Sequence, residues 1–162
     1  MRRAAALLLL LMAGCGLQPV YSGGSKGPGA TILAGIDVPV IPEKSGYLVR
    51  QALLDRLPDA SGERHYRLIV KLDDSISGFG VRGDDSISRE RRQLRARWQL
   101  VEDSTGAVLI DAAARSDAGI DIVSSEYAVI AAENAALERL SEDIAQQIIA
   151  RVALFARSEA AG

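Results

Sequence analysis

Arg89-Glu90-Arg91-Arg92-Gln93-Leu94-Arg95-Ala96-Arg97-Trp98-Gln99-Leu100 is the stretch that decides the fold of this chain. Leu94, Ala96, Trp98 and Leu100 alternate with Gln93, Arg95, Arg97 and Gln99, the two-residue period of a strand with one apolar and one wet face. The spacing predicts a strand over Arg89–Glu102, whose wet side carries Arg89, Arg91, Gln93, Arg95, Arg97 and Gln99. A strand this polar on one side needs a covering layer on the other side only.

Working outward, Asp103-Ser104-Thr105-Gly106 is a turn, and the run Ala107 to Ala118 reads as a hairpin partner with Val108, Ile110, Ala112 and Ala114 inward. Upstream, His65–Asp73 is a strand with Tyr66, Leu68, Val70 and Leu72 on one side and His65, Arg67 and Lys71 on the other. Between these strands, Asp74 to Ser88 reads as a long polar loop holding Gly78, Gly80 and Gly83, with Asp-Ser-Ile-Ser at each flank. Its glycines do not make a phosphate loop, because no Gly-Lys-Ser or Gly-Lys-Thr follows. Thr31–Val38 alternates as a first strand and stops at Pro39. Glu43–Leu57 is a helix opened by Pro42 and closed by Pro58, with Val49, Leu53, Leu57 and Ala52 as its buried stripe. A second helix starts after Ser124 or Ser125 and runs from Glu126 to about Arg157, with Leu137, Leu140, Ile144, Ile148, Val152 and Phe155 on one face. It is too long for a small domain, so one end is expected to project or bend. The fold class is α+β: a two-layer sandwich in the order β-α-β-β-β-α, with a mixed four-stranded sheet, its first two strands parallel, and two helices on one face.

The chain has 162 residues, enough for one domain, and a net charge of −2. That balance excludes a nucleic-acid binder, which needs a basic excess. One cysteine and one histidine exclude an internal disulfide and a Cys/His zinc centre; no cofactor or metal is implied. Met1-Arg2-Arg3 followed by the apolar run Ala4 to Ala13 has the layout of a secretory signal peptide, about half the length of a membrane span. It ends in Met12-Ala13-Gly14-Cys15, which resembles a bacterial lipobox. That resemblance implies cleavage before Cys15, acylation of its sulfur and new amino terminus, and durable membrane anchoring through several buried acyl chains. The expected organisation is a signal peptide over 1–14, a lipidated flexible tether over 15–30, a single domain over 31–157 and a disordered tail over 158–162.

Four arginines in one strand row, Arg89, Arg91, Arg95 and Arg97, repel one another unless anions or acids lie close. The row, extended by Arg67, Lys71 and Arg115 of neighbouring strands, is either a solvated face paired with acids such as Asp73, Asp111 and Asp117, or a site for an anionic partner. His65 has no nucleophile to serve, and Asp73-Asp74 and Asp84-Asp85 lack a calcium-loop pattern. No paired acid/base motif or nucleophile elbow is visible, so an enzyme is not expected.

Ala13-Gly14-Cys15-Gly16-Leu17-Gln18-Pro19-Val20-Tyr21, the β-α-β-β-β-α order, the strand ending Trp98-Gln99-Leu100 and the Ala-rich helix with Tyr127-Ala128 resemble the lipopolysaccharide-assembly lipoprotein family LptE (RlpB) in its alphaproteobacterial form. Leu17 and Val20 stand where the family more often has an aromatic residue and Leu. The resemblance implies a non-enzymatic outer-membrane lipoprotein, on the periplasmic side, that plugs and helps assemble the β-barrel LptD and assists lipopolysaccharide delivery to the cell surface. Gly16 rather than Asp after Cys15 favours that membrane by the enteric sorting rule. The resemblance further implies lipopolysaccharide binding through basic residues, carried here by Arg89, Arg91, Arg95 and Arg97 with Arg67 and Lys71 behind them. The alternative is a periplasmic lipoprotein accessory of a phospholipid transport system.

Overall fold

Leu94, Ala96, Trp98 and Leu100 are all buried, and Trp98 is the largest side chain shielded from solvent. The strand that carries them, β3 (Ile87–Glu102), runs through a four-stranded sheet of order β1-β2-β3-β4. The computed structural model describes residues 32–59, 63–81 and 87–161, so the expected signal peptide, Cys15 and the tether lie outside the described residues. β1 (Ile36–Asp37) is parallel to β2 (Tyr66–Val81), and β2, β3 and β4 (Val108–Asp121) form an antiparallel meander. α1 (Glu43–Leu54) is the crossover between β1 and β2, and α2 (Glu126–Ala161) ends the fold. α2 lies on β3 and β4, and α1 packs on α2 and reaches β2. The result is the expected mixed-sheet α+β arrangement, with the core between sheet and helices built from Leu53, Leu68, Leu94, Trp98, Leu140, Ile144 and Ile148.

The strand lengths differ from the sequence expectation. β2 does not stop at Asp73: the expected loop Asp74–Ser88 is mostly strand, and only 82–86 separates β2 from β3. Its glycines and serines are poor strand formers, but every residue of β3 from Ile87 to Leu94 except Ser88 takes a β2 partner, from Val81 back to Asp74, and Ser88 Oγ donates to Gly80 O. Pairing overrides local preference here. β4 likewise continues past Ala118 to Asp121, opposite Arg89. At its other end Val108 is exposed rather than inward, because a register shift at Leu100/Val101 breaks the alternation. The first strand shrinks from Thr31–Val38 to Ile36–Asp37, since 32–34 forms a helical turn that buries Leu33 instead. Gly35 ends that turn, and its carbonyl accepts the N–H groups of both His65 (3.0 Å) and Tyr66 (3.1 Å).

α1 stops at Leu54 rather than Leu57, and residues 55–57 close as a turn in which Leu57 N–H donates to Leu53 O. Pro58 disfavours helical backbone at Leu57. Gly46, buried in α1, leaves room for the preceding chain: a Cβ there would stand 2.5 Å from Ile41 O. α2 continues to Ala161, four residues past the expected end at Arg157, where a disordered tail was expected; no Gly or Pro interrupts Ser158-Glu159-Ala160-Ala161. At 1.5 Å per residue its 36 residues span about 54 Å. Its first ten residues bury no side chain, so the amino-terminal end is the one that projects past the core.

One inward charge was not anticipated. Arg92 lies on the helix side of β3, where its guanidinium makes two bonds to Asp74 of β2 (Nε to Oδ1 2.9 Å, Nη2 to Oδ2 2.6 Å) and donates Nη1 to the Glu133 carbonyl of α2 (3.0 Å). The two side chains are 12% and 15% exposed. This fork ties β2, β3 and the projecting part of α2 together. Glu90 shares that side, and its Oε2 is buried with no hydrogen-bond partner among the described residues.

Trp98→Ala is expected to lower stability by about 3–5 kcal/mol in urea unfolding; a loss under about 1 kcal/mol would mean the strand faces are wrongly assigned. Arg92→Ala should cost about 3 kcal/mol, because it strands Asp74 in a nearly closed site. Asp74→Ala made in that background should then cost far less than it does alone, which a double-mutant cycle measures.

Candidate functional site

The sheet side opposite the helices is uncovered among the described residues, and alternation along each strand sets what it carries. β2 places Arg67, Ile69, Lys71 and Asp73 there, β3 places Arg89, Arg91, Gln93, Arg95, Arg97 and Gln99, and β4 adds Asp111, Ala113, Arg115, Asp117 and Asp121. All six cations singled out in the sequence therefore lie on one face, while Cys15 is outside the described residues.

The cations are not equivalent. Arg89 Nε donates to Asp121 Oδ1 at 2.9 Å. Arg67 pairs with Asp103 at 2.7 Å, and Arg97 with Asp111 at 3.3 Å. Arg91 lies 3.8 Å from Asp117 and stacks its guanidinium over the Phe79 ring, 5.4 Å from the centroid. Lys71 and Arg95 make no ion pair among the described residues, and neither does Arg115. Arg95 and Arg115 are directly opposite each other on β3 and β4. Asp73, the register partner of Arg95 on β2, does not reach it. Like charges facing each other across a ladder destabilise it. The face thus pairs its charges at both ends and keeps a centre of three cations without a direct ion pair, Lys71, Arg95 and Arg115, with the Asp73 carboxylate set among them opposite Arg95.

Such a centre can hold an anion. Arginine offers a planar fork to phosphate or carboxylate, and lysine a point charge beside it. The alternation of β3 was legible, but the cross-strand facing of Arg115 was not, since register depends on where each hairpin turns. Asp111 shows the opposite environment. Its carboxyl is held below the usual carboxylate range, first by the Gln99 amide (Nε2 to Oδ2, 2.9 Å) and then by Arg97. Among the described residues no cluster of three or more His, Cys, Asp or Glu could hold a metal ion, and no helix is long and apolar enough to cross a membrane.

The lipopolysaccharide-assembly family LptE matches residues 33–152, which is the whole sandwich apart from its outermost turns. This chain belongs to the LptE family. Three solved lipoproteins share the LptE-type fold seen here. A putative lipoprotein from Caulobacter crescentus superposes with a TM-score of 0.66 at 24% identity, over 80% of this chain and 95% of that one. A minor lipoprotein from Acinetobacter baumannii gives 0.56 at 15% identity, over 74% and 88%. Uncharacterized lipoprotein B from Nitrosomonas europaea gives 0.53 at 16%, over 74% and 81%. No curated protein matches the sequence. Membership in LptE assigns the chain a general role in lipopolysaccharide assembly, at the membranes of the cell envelope.

Gln99→Ala is expected to move the Asp111 titration back up toward the usual carboxylate range in a carboxyl-resolved NMR titration. The sign follows from the depressed folded-state value. The folded chain binds that proton less readily than the unfolded one, so the stabilisation is present at neutral pH and is lost as pH falls through the Asp111 value.

Proposed function

We propose that this chain is an outer-membrane lipoprotein, anchored on the periplasmic face through acylated Cys15, that plugs and helps assemble an LptD-type β-barrel and assists lipopolysaccharide delivery to the cell surface. LptE membership supports the general role, and the open sheet face carries the finer one. That face is polar along three strands, as suits a barrel lumen, which is itself lined with polar groups. At its centre Lys71, Arg95 and Arg115 make no direct ion pair among the described residues, and three cations there stand against the one carboxylate of Asp73. Lipopolysaccharide presents phosphates, which match arginine forks. Arg67, Arg89 and Arg97 would each have to give up an ion pair to take the same phosphate, whereas the central three would not. The proposed contact centre is therefore narrower than the full arginine row and includes Arg115. The role needs no catalytic group; the work is binding and assembly.

The first test is a pull-down through a carboxyl-terminal tag from envelope solubilised in mild detergent. A single large β-barrel protein in equal amount is the expected result. Inner-membrane transporter subunits in its place would favour the phospholipid-transport accessory and overturn the plug. The second test targets the centre. Arg95→Glu with Arg115→Glu should leave the thermal midpoint nearly unchanged and weaken lipopolysaccharide binding about tenfold or more. Arg115→Glu alone places opposite charges across the ladder, so it should raise stability by about 0.5 kcal/mol while still weakening binding. Unchanged binding in both folded variants would remove the anion role from this face.

A further inference from the structure

The sheet has two outer edges, and the fold treats them differently. On β4, the backbone of Arg115 turns outward, and the side-chain amide of Gln147 from α2 takes it up: Arg115 N–H donates to Gln147 Oε1 (3.4 Å) and Gln147 Nε2 donates to Arg115 O (3.0 Å). One side chain does there what a neighbouring strand would do. Ser116 Oγ beside it donates to Asp143 Oδ2 at 2.9 Å.

The β2 edge has no such cover in its distal half. Its only strand partner among the described residues is β1, which pairs with Tyr66 and Arg67 alone, although β2 runs on to Val81. Tyr66 N–H points to that edge, donating to Gly35 O. The two-residue period then turns the N–H and C=O groups of Asp74, Ile76 and Gly78 to the same edge, and those of Asp73, Ser75 and Ser77 to β3. No backbone or side-chain hydrogen bond among the described residues reaches the outward groups of Asp74, Ile76 or Gly78. Ser75 to Gly80 are exposed and carry no charge. Ile76, on the helix side, is 43% exposed, and Phe79, on the open side, is 40%. Sheet edges are ordinarily protected by charge, proline or a covering element, as Gln147 covers Arg115 on β4 and as Asp111, Arg115, Asp117 and Asp121 charge that strand.

We propose that the β2 edge from Asp74 to Gly78 is an assembly surface that takes an extended, uncharged segment of a partner protein as an added strand. The unmatched row of donors and acceptors fits a polypeptide backbone and no other common ligand. The added strand would cover Ile76 on one side and Phe79 on the other. A second copy of this chain fits less well. Two folded copies touching along about six residues would bury on the order of 500 Å², well under the roughly 1,200 Å² of a stable interface. The inference does not depend on which envelope protein supplies the strand.

Hydrogen exchange on the full lipidated chain tests it, read at Ile76 and Gly78 in isolated envelope membranes and again after purification in mild detergent. In the purified chain both amides should exchange as unprotected groups, while Ser75 and Ser77 stay protected by β3. In membranes Ile76 and Gly78 should slow by about 100-fold. Gly78→Pro removes an outward N–H and none from the β3 ladder, so it should keep the thermal midpoint and the Ser77 protection but lose the slowing at Ile76 in membranes. Fast exchange at Ile76 and Gly78 in membranes overturns the inference, whatever the pull-down yields. Slow exchange already in the purified chain also overturns it, because the edge would then be covered by this chain itself or by a second copy.

Discussion

A strand in the middle of a sheet must satisfy its backbone on both sides, and β3 is sixteen residues long. Buried or not, each N–H and C=O of that strand is cheaper paired than left open. That requirement sets the lengths of its neighbours. β2 is drawn out through Gly78 and Gly80 to Val81, and β4 through Gly119 to Asp121, past the point where either has apolar residues to bury regularly. The core proper occupies only the half of the sheet around Trp98, Leu68 and Leu100. The other half is an arm held by ladder bonds and by the Arg92 fork to Asp74 and Glu133, with the thinly buried start of α2 above it.

The same strand sets the electrostatics of the outer face. Arginine at alternate positions puts like charges about 6.5–7 Å apart, and the fold relieves most of that by placing carboxylates on β4 and in the β3–β4 turn. Asp121, Asp117, Asp111 and Asp103 each lie against one arginine. These pairs are exposed and individually worth little. Their effect is to localise what remains: a net positive centre where Arg95 meets Arg115, with Lys71 and the single carboxylate of Asp73 on the neighbouring strand, on a chain whose net charge is −2.

Edges complete the picture. A helix side chain, Gln147, covers Arg115 on the β4 edge, a strand that also carries the charges of Asp111, Asp117 and Asp121, and β1 closes only the first two residues of β2. An open edge that is uncharged and carries Ile76 and Phe79 invites pairing with whatever extended chain it meets, so such an edge persists most readily when its partner is at hand.

Alternation by itself determined the central strand, its buried row and its basic row, because period two in Leu94, Ala96, Trp98 and Leu100 admits one reading. The helical stripes of Val49 and Leu53 and of Leu140, Ile144 and Ile148 were equally legible, and with them the layer count and the β-α-β-β-β-α order. Tertiary structure alone decided where strands end and which charges meet. The segment from Asp74 to Val81 reads as loop because glycine and serine weaken a strand in isolation; only the unmet backbone of β3 makes it one. Arg92 was invisible for a related reason: an inward arginine is tolerable only beside a carboxylate on the neighbouring strand, and register, which a sequence does not state, brings Asp74 to it. The facing of Arg95 and Arg115 has the same origin. A one-residue slip in the β3–β4 pairing would have turned Arg115 to the other side of the sheet together with Asp111, Asp117 and Asp121, leaving the arginines of β3 without those partners.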